Sequence, residues 1–134
     1  MIALNTTDSL EAKVKDTLYP YKSKEHKIIA DTLNQYGIPF FYQQSTLVIE
    51  NGKKMIEYAD FFLPSYRGLA IDYIIESHSA IYRRKKNIYQ ENSVPAILVS
   101  RKDLVRPDFN RSLYKTLQSS YRIGTHYRKR GKYG

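Results

Sequence analysis

The chain has 134 residues, 42% of them hydrophobic and 26% charged, which is ordinary for one folded domain large enough to bury a real core. The absence of cysteine excludes disulfides and thiolate metal sites, leaving Asp, Glu and three His as candidate ligands. A formal net charge of +9, with seven Lys or Arg and no acid after Asp108, points to a polyanionic partner.

In chain order, residues 1–22 read as an N-terminal extension in which Leu10 to Leu18 form a short helix stopped near Pro20. The start lacks a charged-then-apolar signal pattern, and no run reaches the roughly 18 apolar residues of a membrane span. The expectation is a cytoplasmic protein with no membrane segment. From Ser23, a plausible N-cap, the residues Ile28, Ile29, Leu33 and Tyr36 recur at helical spacing until Gly37 ends the run. The first strand of a three-stranded meander follows, through Ile-Pro-Phe-Phe-Tyr and then Ser-Thr-Leu-Val-Ile-Glu. Asn51-Gly52 is a strong two-residue hairpin turn, and the next strand runs from Lys54 to Leu63, closed by Pro64.

Ser65-Tyr-Arg-Gly68 makes a tight connection into Leu69-Ala-Ile-Asp-Tyr-Ile-Ile-Glu76, so Asp60 and Asp72 should lie on neighbouring antiparallel strands. A carboxylate in such apolar surroundings sits at a solvent-facing edge, pairs with a base, or binds a metal. Two of them on adjacent strands are most simply held together by a divalent cation. His78 to Tyr89 reads as a basic helix, Gln90 to Ser93 as a loop, and Val94 to Ser100 as a buried strand, parallel to its neighbour after a helical crossover. Pro107 to Ser119 is helical, with Phe109, Leu113 and Leu117 at four-residue spacing, and residues 121–134 form a basic tail. The fold class expected is α/β, a mixed central sheet of an antiparallel meander plus a parallel strand, flanked by helices.

This order, from Ser23-Lys-Glu-His through Tyr58-Ala-Asp-Phe-Phe-Leu-Pro and Ala70-Ile-Asp-Tyr to Val94-Pro-Ala-Ile-Leu-Val-Ser, resembles the PD-(D/E)xK nuclease superfamily over residues 23–104. The layout is most similar to the phage-type endonuclease I and junction-resolving branch, and the resemblance implies a restriction-endonuclease-like core in residues 23–120. It makes Asp60 the first motif aspartate, with Ala59 where proline is usual, and Asp72 the acid of the second half-motif. Ile74 stands where the family carries lysine, and His26, beside Glu25, where its first helix carries glutamate. A helix histidine is similar to the cap-snatching endonucleases, in which it is a metal ligand and in some of which the lysine has moved to the following helix. Here Lys85 or Lys86 would take that place.

The resemblance thus implies a divalent cofactor, Mg or Mn, held by His26, Asp60, Asp72 and the carbonyl of Tyr73, with Glu25 and Glu76 in reserve, and Lys86 or Lys85 offsetting charge on the phosphate. Arg83, Arg84, Arg122, Arg128, Lys129, Arg130 and Lys132 are the expected phosphate contacts, since basic side chains among abundant Tyr suit nucleic acid. Many relatives act as homodimers. The function expected is a metal-dependent endonuclease, on DNA ahead of RNA. The alternatives are a nuclease fold without catalysis that binds nucleic acid or serves assembly, and a basic structural protein that binds a protein partner.

Overall fold

The structure, a computed structural model, describes residues 20–131, with side chains described as far as Ser120. The helix expected at Leu10 to Leu18, Lys132, and the side chains of Arg122, Arg128, Lys129 and Arg130 lie outside the described part.

Helix α1 (Lys24–Gln35) begins where expected because the Ser23 hydroxyl accepts the His26 N–H at 3.2 Å. That bond fixes His26 in the first turn, on the buried face shared with Ile29, Ala30 and Leu33. Strands β1 (Phe41–Glu50) and β2 (Lys53–Leu63) form a hairpin around Asn51 and Gly52, whose φ angles of +53° and +77° are those of a primed turn. A single 3-10 turn (Pro64–Tyr66) leads into β3 (Leu69–Tyr73), and α2 (Ala80–Glu91) carries the chain over to β4 (Ala96–Val99).

The fold is α/β: one sheet in the order β1-β2-β3-β4, with β1, β2 and β3 antiparallel and β4 parallel to β3. Ile29, Leu33, Phe61, Ile71, Leu113 and Leu117 anchor the main core between the sheet, α1 and the last helix. A smaller cluster of Ala59, Ala70 and Tyr89 seats α2 on the opposite side. Asn92, at the end of α2, fixes the helix to edge strand β1 by accepting the Ile49 N–H at 2.8 Å and donating to its carbonyl at 2.9 Å. No described helix is long and apolar enough to cross a membrane.

Several boundaries differ from the sequence reading. Helix α2 starts two residues later than His78, because the Ser79 side chain caps it by accepting the Tyr82 N–H, and it continues through Gln90 and Glu91, read as loop. Strand β4 is shorter than Val94 to Ser100. Ser100 leaves the ladder to form a capping box with Asp103, which starts an unexpected short helix, α3 (Arg101–Leu104). The last helix, α4 (Phe109–Gly131), runs beyond Ser119, with no proline in its span to stop it.

Candidate functional site

Strands β2 and β3 pair at Leu63↔Leu69, Phe62↔Ala70 and Phe61↔Ile71, and the ladder stops there. The next rung in register is Asp60 opposite Asp72. Beyond it β2 continues with β1 while β3 continues with β4, so the sheet forks. The backbone groups freed at a fork need partners. The two aspartates supply them: the Asp60 N–H donates to Asp72 Oδ1 at 2.6 Å, and the Tyr73 N–H donates to Asp60 Oδ2 at 2.8 Å.

The same rung is irregular in β1. Gln43, in register with Asp60 between the pairs Tyr42↔Phe61 and Gln44↔Ala59, has φ of +56° and donates its amide to Asp60 Oδ1 at 2.7 Å. A non-glycine residue in the left-handed region interrupts the alternation of faces. Phe61 accordingly packs against His26 of α1, whereas Ala59 and Glu57, of the same parity, meet α2. This reversal of faces lets side chains from both helices reach one rung.

From α1, His26 Nε2 lies 3.3 Å from Asp60 Oδ2, and its Nδ1 is 2.6 Å from the Tyr42 hydroxyl. That hydroxyl accepts the Lys22 N–H at 2.8 Å. From α2, Lys85 Nζ lies 3.2 Å from Asp72 Oδ2 and 3.1 Å from Glu57 Oε1, and donates to the Tyr58 carbonyl at 2.8 Å. Tyr89, one turn further on, donates its hydroxyl to Asp72 Oδ2.

The two carboxylates differ in electrostatic setting. Burial would raise the pKa of Asp60, but the His26 hydrogen bond, the Tyr73 N–H and the Gln43 amide outweigh it, and the net shift is downward. Asp72 is 2% exposed, and its burial is the largest influence, pushing the pKa up; Lys85 pulls it back, Asp60 pushes with the burial, and the net shift is upward. Burial first, and then the Asp72 charge, push the Tyr89 phenol well above its ordinary value, so it remains a donor.

Of the residues singled out in the sequence, His26, Asp60, Asp72 and Lys85 therefore come together, and Tyr73 joins them through its N–H. Lys86 is exposed on α2, with no ion pair among the described residues, so Lys85 is the lysine at the rung. Glu25, half-buried in the first turn of α1, and exposed Glu76 make no ion pair among the described residues. Arg84 is engaged by Glu50 at 3.0 Å and Glu57 at 3.4 Å, while Arg83 is exposed and donates to the His78 carbonyl at 2.8 Å.

Gln43, Glu57, Tyr42 and Tyr89 were missed. Glu57 and Tyr89 offered a signal, because Glu57 to Asp60 and Lys85 to Tyr89 place chemistry-bearing pairs on adjoining elements. Nothing in Phe-Tyr-Gln-Gln-Ser marks Gln43 as left-handed. Among the described residues no three of His, Asp and Glu converge as a ready metal group. Comparison of the chain with protein-family models, with curated proteins and with solved structures finds no match.

Proposed function

We propose that this chain is a metal-dependent phosphodiester hydrolase of nucleic acid, DNA ahead of RNA, with its reaction centre at the fork between β2 and β3. One observation carries the reading: an acid–imidazole pair, Asp60 with His26, and an acid–ammonium pair, Asp72 with Lys85, meet on one rung. A fork satisfied only for its own sake needs two acceptors, not an imidazole and a lysine drawn from opposite faces.

The donors fit a hard divalent cation of the Mg or Mn class in kind, being carboxylate oxygen and an imidazole nitrogen whose other nitrogen is fixed by Tyr42. In number they fall short of a closed site, because Asp72 is committed to Lys85 and Tyr89. His26 and Asp60 are thus the pair that would hold the ion. When bound, such an ion acidifies a water and polarises a phosphate. Lys85 supplies a fixed positive charge beside the place where negative charge builds on phosphate, and the exposed Arg83 and Lys86 on the same helix attract the backbone.

A second reading, a nuclease-like fold that binds nucleic acid without cutting it, is favoured by the hydrogen bond that each carboxylate oxygen already receives from the protein. Titration of Mn²⁺ and Mg²⁺ against a supercoiled plasmid and a single-stranded oligonucleotide separates the two. Cleavage that needs the metal and disappears in Asp60→Asn, with binding retained, supports hydrolysis. Binding with neither cleavage nor a metal-dependent rise in Tm supports the second reading.

A further inference from the structure

Lys85 reaches the rung from a helix, at the end of a flexible four-carbon stem, so its place against Asp72 is not set by strand geometry. A lysine on β3 would be held by the strand itself, but β3 ends at Tyr73 and the residue that follows it is Ile74. Something else must fix the ammonium, because an untethered Lys loses much of its directional value to rotamer freedom.

We propose that Glu57 is the positioning residue for Lys85. This rests on the hydrolytic reading of the fork for its consequence in catalysis, but not for its geometry. Glu57 is a buried acid whose two oxygens are divided between two neighbouring cations of α2, with Oε1 3.1 Å from Lys85 Nζ and Oε2 3.4 Å from Arg84. Arg84 is in turn gripped by Glu50 near the hairpin turn, at 3.0 and 3.1 Å through two nitrogens. The Lys85 ammonium is ringed by four acceptors: it donates to the Tyr58 carbonyl at 2.8 Å and to the Tyr89 hydroxyl at 3.5 Å, and it pairs as an ion with Glu57 and Asp72.

Two of those acceptors belong to consecutive residues of β2, so the strand that carries Asp60 also clamps the lysine that faces Asp72. The link Glu50–Arg84–Glu57–Lys85–Asp72 ties the hairpin, α2 and the fork into one polar chain. Glu57 touches none of the reacting groups proposed for the cation pair. It acts through Lys85, and its effect disappears when Lys85 is absent.

The test is a set of cycles with Glu57→Gln, Asp72→Asn and Lys85→Met, singly and combined, read by urea unfolding and by metal-dependent cleavage. The expected result in unfolding is measurable coupling between Glu57 and Asp72 that collapses in the Lys85→Met background. In cleavage, Glu57→Gln should lower kcat at least tenfold with KM within about twofold, Glu57→Asp should recover part of the loss, and Glu57→Gln should add nothing to Lys85→Met. Coupling that is absent, or that persists without Lys85, overturns the proposal. So does a cleaving protein whose kcat is unmoved by Glu57→Gln. If the protein shows the coupling but never cleaves with either metal, the clamp stands and the hydrolytic reading falls. Far-UV circular dichroism of each variant confirms that the comparison is made on folded protein.

Discussion

Asp60 and Asp72 each accept a hydrogen bond from the other's strand, the Asp60 N–H reaching Asp72 Oδ1 at 2.6 Å and the Tyr73 N–H reaching Asp60 Oδ2 at 2.8 Å. Side chains thereby take over the role of carbonyls at the place where the ladder stops. Asp60 Oδ2 also faces the imidazole, and the second oxygen of Asp72, Oδ2, faces the ammonium, so the carboxylates that hold the fork are also those offered for chemistry. Stability and activity should therefore be coupled here.

Asp72→Ala removes an acceptor from the Asp60 N–H and from the Tyr89 hydroxyl, and a counter-charge from Lys85. Breaking a buried ion pair from one side costs about 3–5 kcal/mol. Asp72→Asn keeps one acceptor oxygen, and a loss of about 1–3 kcal/mol is expected. Urea unfolding measures both; each variant removes the charge, so equal losses would mean that the acceptor oxygen kept by Asn contributes nothing and that the charge carries the whole effect.

The opposed shifts of the two acids give a signed pH dependence. The pKa of Asp60 is depressed in the folded state, so its contribution is present above the unfolded value of 3.8 and is lost as pH falls through the lower folded value. The pKa of Asp72 is raised, so the folded state holds its proton more tightly. Its contribution is present below 3.8 and is lost as pH rises through the higher folded value. Asp60→Asn should flatten the acid limb of Tm against pH, and Asp72→Asn the segment just above it. Identical profiles for the two variants would contradict the assignment.

Lys85 and Lys86 are neighbours with opposite fates, one against Asp72 and one exposed. If the fork hydrolyses phosphodiesters, Lys85→Met should reduce kcat by about 10²–10³-fold, the usual cost of removing one group that stabilises developing charge. Lys86→Met should leave kcat unchanged and weaken duplex binding, reducing the salt slope by about 0.9 if it contacts one phosphate. Single-turnover cleavage and a salt titration distinguish the two residues.

The sheet order and the adjacency of the two aspartates were legible because turn chemistry fixes them: Asn51-Gly52 sets one hairpin and Pro64 to Gly68 the next connection, and register follows. The place of His26 in the first turn of α1 was legible from Ser23 at one end of the helix and Gly37 at the other, whereas its part in a site came only from the resemblance. The choice of Lys85 over Lys86 was not legible, because the start of α2 hinges on Ser79 and a small rotation of the helix exchanges the two residues between the rung and solvent. Gln43 lay beyond reach for another reason. Its positive φ is imposed by the rung it completes, a tertiary demand that overrides what the local sequence prefers.

Tyr42 offers a test of the imidazole alone. Its hydroxyl sits 2.6 Å from His26 Nδ1 and accepts the Lys22 N–H, and burial, the first of several influences, raises its pKa so that it stays protonated at neutral pH. With that bond in place Nε2 is aimed at Asp60; without it the ring is free to turn. Outer partners of metal-binding histidines typically contribute about 10–100-fold in affinity. If His26 and Asp60 share a cation, Tyr42→Phe should weaken Mn²⁺ binding by that factor and shrink the Mn²⁺-induced rise in Tm, while the unfolding midpoint without metal moves far less. Tyr21→Phe serves as the control, since Tyr21 packs edge-on against the Tyr42 ring with centroids 4.9 Å apart and its own hydroxyl is not the one on His26. Equal Mn²⁺ affinity in the two variants would separate the imidazole from the cation, leaving Tyr42 as a tie between α1 and β1 alone.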